Sequence, residues 1–137
     1  MKPLRIAPLT LLCALLLATA ARDAGAAMSG QELLKRCSAA EKSMQGEPLS
    51  ANETLDSLWC MGYVSGLLDG FSLGDFKVGD ARAVCPPEQG LQRGEALLTI
   101  VKWLRAHPED LARNGRRNAV IALSKAYSCN SAQPGPE

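Results

Sequence analysis

Cys37, Cys60, Cys85, Cys129 and His107 are the residues through which this chain could do chemistry, and their spacing narrows what that chemistry is. A structural zinc site usually has two ligands a few residues apart, as in Cys-x-x-Cys. The four cysteines lie far from one another and from the single histidine. Covalent catalysis would set His107 beside a serine or cysteine nucleophile. No such residue is its near neighbour in sequence, and it directly precedes Pro108 at what reads as a helix junction, where a capping role accounts for it. Glu109-Asp110 is the one obvious carboxylate pair, and acids belong in the first turn of a helix, where the backbone dipole is positive. The stretch Gly62–Gly70 lacks the strand and turn of a phosphate-cradling loop. The residue types therefore predict no enzyme, no cofactor and no metal site.

The cysteines point to cross-linking instead. Lys2 and Arg5 precede an uncharged apolar run, Leu9–Ala20, which is followed by the small-residue motifs Ala18-Thr19-Ala20 and Ala24-Gly25-Ala26. Residues 1–26 read as a secretory signal peptide cleaved after position 20 or 26. Cys13 lies inside that apolar run, preceded by Leu12 where a lipoprotein signal would place a small residue, so no lipid anchor is expected. An even number of cysteines in a small exported chain predicts two disulfides, with three pairings possible. Removal of the leader leaves about 110 residues, enough for one small domain over 27–130, followed by a disordered tail at 131–137. The whole chain has 15 basic and 14 acidic residues. The leader carries three basic (Lys2, Arg5, Arg22) and one acidic (Asp23), leaving 12 against 13. That balance gives no argument for nucleic acid or an anionic membrane, and no further apolar run is long enough to span one.

The elements that must position these residues read as helices throughout. Ser29-Gly30-Gln31-Glu32 and Ser50-Ala51-Asn52-Glu53 fit capping boxes. The first opens a helix over about 30–45, with Leu33, Cys37, Ala40 and Met44 at helical spacing. The second opens one running to about Phe71. In an antiparallel hairpin Cys37 and Cys60 come level, which favours pairing them. A third helix is expected over about 88–106, with Leu97, Leu98, Val101 and Leu104 as its buried stripe and Ile100 and Trp103 widening it. A fourth is expected from Pro108 to Tyr127, burying Leu111, Ala119, Val120, Leu123 and Ala126. If those two fold back on each other, Cys85 and Cys129 meet. The predicted fold is all-α: a compact four-helix bundle stapled by two disulfides.

Two surface features stand out. Gly62, Gly66 and Gly70 recur every fourth residue beside Asp69, and a glycine inside a helix costs about 1 kcal/mol relative to alanine. Tight packing against a neighbouring helix of the same molecule is the simplest reason for such a row; a surface for self-association or for docking a partner is the alternative. Leu73–Val84 is the least regular stretch and reads as an ordered loop, with Phe76 and Lys77 as residues able to reach a partner. The basic residues Arg113, Arg116, Arg117 and Lys125 read as a solvated face.

Taken in order, Leu33-Leu34-x-x-Cys37, Cys60-x-Gly-Tyr-Val-x-Gly-x-x-Asp69, Cys85-Pro86, His107-Pro-Glu-x-Leu111 and Ala122-Leu-x-x-Ala-Tyr-x-Cys129 resemble the Rap/Tai family of type VI secretion amidase-immunity proteins. The resemblance covers nearly all of the chain after the leader. Ser128 departs from it, standing where a proline is expected. The resemblance implies a small helical periplasmic protein, often a homodimer, that binds a peptidoglycan-cleaving amidase toxin and blocks its active site. The alternative class is a periplasmic acid-stress chaperone resembling the HdeA type, which would open at low pH. Two staples restrain such opening, and a single histidine limits titration near neutrality.

Overall fold

A computed structural model describes residues 27–78 and 84–129, with side chains described to residue 72 in the first segment. The expected leader and the tail at 131–137 lie outside these residues. Four α-helices follow in order: α1 (Gly30–Met44), α2 (Ala51–Val78), α3 (Arg93–Ala106) and α4 (Gly115–Ala126), with a 3-10 turn at Pro108–Asp110. The only β pairing among the described residues is an isolated antiparallel bridge between Ser29 and Asn114.

Three of the four helices begin where a side chain satisfies a free amide, while α3 starts after Gln92 without such a bond. At α1, the Ser29 hydroxyl accepts from the Glu32 amide at 3.2 Å. The glutamate does not return the bond as the box motif predicts; its carboxylate accepts from Arg36 one turn on, at 2.8 Å. The second box forms in full, with the Ser50 amide donating to Glu53 at 2.8 Å and the Glu53 amide donating to the Ser50 hydroxyl at 3.3 Å. α3 starts at Arg93, five residues later than expected, because Pro87–Gly90 closes a turn with the Gly90 amide on the Pro87 carbonyl. Gly90 takes a φ of +82°, which its missing Cβ makes easy. The expected single helix from Pro108 to Tyr127 is broken into the 3-10 turn and α4. Asn114 caps α4, its side chain accepting from the Arg117 amide at 3.2 Å.

The helices enclose one core, with Leu33, Val64, Leu97, Ile100, Val101, Leu104, Ala119 and Leu123 fully buried. Some expected core positions lie elsewhere. Leu98 is 40% exposed, and Ala126 is exposed at the end of α4. On α3 the inward arc is carried by Ala96, Leu97, Ile100, Val101 and Leu104, which rotates Leu98 outward. Asn118 is buried on α4 and donates through its side-chain amide to the Asp110 carbonyl at 2.8 Å, tying α4 to the 3-10 turn.

Both expected cysteine pairs are at bonding distance. Cys37–Cys60 joins α1 to α2 with Cα atoms 5.1 Å apart, and Cys85–Cys129 joins the segment before α3 to the end of α4 at 4.9 Å. Both separations fall inside the usual disulfide range. The α1–α2 hairpin is further clasped by charge, with Lys42 on Glu53 at 3.0 Å and Lys35 on Asp56 at 3.5 Å. The Arg105 guanidinium forks onto Glu41, linking α3 to α1.

Candidate partner-binding surface

The long helix α2 presents two unlike faces. Ser57, Cys60 and Val64 point into the core, with Leu67 and Phe71 half-buried beside them. The opposite face is apolar too, and it stays largely exposed among the described residues. Leu55 and Leu58 are 66% and 65% exposed, and Trp59 is 37% exposed. A helix that is apolar all round is one that expects a neighbour on each side.

The glycine row lies on that uncovered side. A Cβ built on Gly62, Gly66 or Gly70 would meet nothing within 4 Å. Among the described residues, close packing within the molecule does not account for these glycines. The glycines that do need their missing side chain are Gly30 and Gly115. A Cβ on Gly30 would come within 2.4 Å of the Asn118 side chain, and one on Gly115 within 2.8 Å of the Ser29 carbonyl. Asp69 is exposed beside the row.

An aromatic ladder borders the same face. Arg36 lies over the Trp59 ring at 4.6 Å, and Trp59 stacks on Tyr63 with centroids 5.2 Å apart. Burial pushes the Tyr63 phenol above its ordinary pKa, partly opposed by the positive charge of Arg116. The phenol therefore stays neutral across the physiological range. Stacking fixes both rings, so Trp59 offers a rigid aromatic edge to solvent.

The expected loop from Leu73 begins instead as helix: α2 continues to Val78, past Gly74 and Asp75. The cost of one glycine is small against a hydrogen-bond ladder already in place. Phe76 and Lys77 thus fall on the last turns of α2; their side chains, and residues 79–83, lie outside those described. Near this end of α2 is an open cleft of about 430 Å³, lined by Ser65, Asp69, Phe71, Val84, Pro86 and Arg93 among others. Sequence reasoning missed the cleft, because its walls come from segments distant in the chain.

His107 ends α3, its ring stacked on Trp103 at 4.1 Å with Nδ1 2.8 Å from the Trp103 carbonyl. Its contacts are those of a helix terminus, as its place before Pro108 suggested. Among the described residues, no group of three or more His, Cys, Asp or Glu could hold a metal ion. Arg113 lies just before α4 and pairs with Asp110 at 2.7 Å, while Arg116, Arg117 and Lys125 are exposed on α4. No helix among the described residues is long and apolar enough to cross a membrane.

Two cross-links hold the helical bundle, and an apolar face of α2 stays exposed among the described residues. The chain belongs to the Rap1a immunity protein family, whose family model matches residues 29–129. No curated protein and no solved structure matches it. Membership implies an immunity protein of type VI secretion with a toxin as its protein partner.

Proposed function

We propose that this protein is exported to the periplasm by residues 1–26 and there binds and inhibits a peptidoglycan amidase toxin delivered by type VI secretion. The family match over 29–129 carries this reading. The physical support is a scaffold held by two cross-links that leaves Leu55, Leu58 and Trp59 of α2 exposed for contact. The toxin contact falls at the C-terminal end of α2, where Phe76 and Lys77 sit on the final turns near the cleft. The test is co-expression in the periplasm with the amidase encoded nearest to this gene. Rescue of lysis, with a stable complex and loss of peptidoglycan cleavage in the purified mixture, supports the reading. Undiminished cleavage at stoichiometric inhibitor overturns it.

The exposed face of α2 belongs, in this proposal, to a second copy of the chain. In an antiparallel crossing about the middle of α2, the bulky half at Leu55–Trp59 meets the flat half at Gly62–Gly70 of the other copy, so one helix supplies both surfaces of a self-complementary interface. Leu58→Asp is expected to give a monomer by light scattering. Its folding stability should stay within about 0.5 kcal/mol of the parent, because Leu58 supports nothing in the core. A parent protein that is already monomeric at high micromolar concentration would sink this part alone.

A further inference from the structure

The two disulfides differ in a way that matters for redox chemistry. Cys37 and Cys60 are both 0% exposed, sealed between α1 and α2. Cys129 is exposed, and Cys85 is half-buried. Thiol–disulfide exchange requires a thiolate to reach a sulfur, so access decides which bridge reacts. The surroundings differ as well. Cys37–Cys60 joins two helices already clasped by ion pairs between Lys42 and Glu53 and between Lys35 and Asp56. Cys85–Cys129 instead anchors residues 84–92, which contain no helix or strand. Besides that bridge, the Cys85 amide donates to the Tyr127 carbonyl at 2.9 Å, Val84 is buried at 2% exposure, and half-buried Leu91 packs against the core. Tyr127 is itself held, its hydroxyl donating to Glu95 of α3 at 2.7 Å.

We propose that Cys85–Cys129 is a reducible clasp that dithiol reductants open selectively, loosening residues 84–92 while the helical bundle stays folded around Cys37–Cys60. One thiolate of the reductant attacks the sulfur of Cys129, the more exposed residue of the pair, forming a mixed disulfide and expelling the Cys85 thiolate, which takes up a proton. The second thiol of the reductant then attacks the mixed disulfide, releasing Cys129, which is also protonated. The reductant leaves as a disulfide, so two electrons pass to the protein. Segment 84–92 forms part of the wall of the cleft through Val84, Pro86, Gly90, Leu91 and Gln92, so opening the clasp alters that surface without melting the core. The proposal does not depend on the identity of the toxin.

The test titrates the oxidised protein with dithiothreitol, traps thiols with N-ethylmaleimide and locates the labels by peptide mass spectrometry. The expected result is a two-label species at Cys85 and Cys129, reached at a dithiothreitol concentration about tenfold or more below that labelling Cys37 and Cys60. Far-UV circular dichroism of that species should match the oxidised protein, and limited proteolysis should show new cuts within residues 84–92. Labelling of all four cysteines together, or of Cys37 and Cys60 first, overturns selectivity. A two-label species as resistant to protease as the oxidised form overturns the loosening. The variant Cys85→Ser/Cys129→Ser provides an independent check: it should keep its helical signal, and its unfolding would refute a bundle that survives without the clasp.

Discussion

Gly66 and Gly115 show how one residue type carries opposite meanings in this chain. Gly115 is buried where a methyl group would press on the Ser29 carbonyl at 2.8 Å and the Met28 carbonyl at 3.1 Å, both of them backbone atoms. The Gly115 amide also donates to the Met28 carbonyl at 2.7 Å, so retreat would break that bond. Gly115→Ala is expected to destabilise the fold by about 1–3 kcal/mol, as overpacking does. Gly66 sits in the middle of α2 with open space around it. Gly66→Ala should stabilise the monomer by about 0.5–1 kcal/mol, through helix propensity and a less flexible unfolded chain. Urea denaturation of both variants, at concentrations where the parent is monomeric, checks the pair. The same Gly66→Ala change should weaken self-association if the glycine row is the flat half of an interface, because then the glycine is retained at a cost to the monomer.

At the scale of elements, the turn between α1 and α2 concentrates the acid sensitivity. Glu53 accepts from the Ser50 backbone amide and the Ser50 hydroxyl lies on its own amide, with Lys42 beside its carboxylate. These contacts, the Ser50 backbone bond foremost, lower its pKa from 4.5 to about 2. A carboxylate whose folded pKa is depressed stabilises the fold above its unfolded pKa, and that contribution drains away as pH falls towards the folded one. The parent should therefore lose stability between about pH 4.5 and pH 2 more steeply than Glu53→Gln, which has nothing there to titrate. Thermal melts across that window test it, and parallel curves would mean that the hairpin holds without the carboxylate. The Cys37–Cys60 bridge joins α1 and α2 on either side of this turn and persists in acid.

For the molecule as a whole, the two bridges are long-range constraints on a small core. Cys37–Cys60 spans 23 residues and Cys85–Cys129 spans 44. In the chain-entropy account each closure contributes roughly 3–4 kcal/mol by limiting the unfolded chain. A domain of this size has a total margin of about 5–15 kcal/mol. Cys37→Ala/Cys60→Ala also leaves a gap between two fully buried positions, so it is expected to lower the denaturation midpoint more than Cys85→Ser/Cys129→Ser does. Chemical denaturation of the two double variants side by side decides the order. For an inhibitor that acts by contact, such rigidity reduces the ordering cost of docking, which is where cross-links help binding most.

Much of this architecture is legible along the chain, because caps, apolar spacing and cysteine positions act over one or two turns or across one hairpin. The second capping box, the α1–α2 hairpin and both cysteine pairings follow from such short-range rules, and so does the all-helical fold. The ends of α2 and α4 do not. Gly74 and Asp75 carry the statistics of a break but lie inside a helix that continues to Val78, and Pro108 opens only a short turn before Asn114 starts α4. The meaning of the glycine row was likewise beyond local reading. α2 is apolar on both sides, so its periodicity does not say which face meets the core. Only the placement of α1 and α3 against Cys60 and Val64 leaves Leu55, Leu58 and the glycines facing outward. Helices form from neighbours in sequence, whereas exposure is decided by which distant elements arrive to cover them.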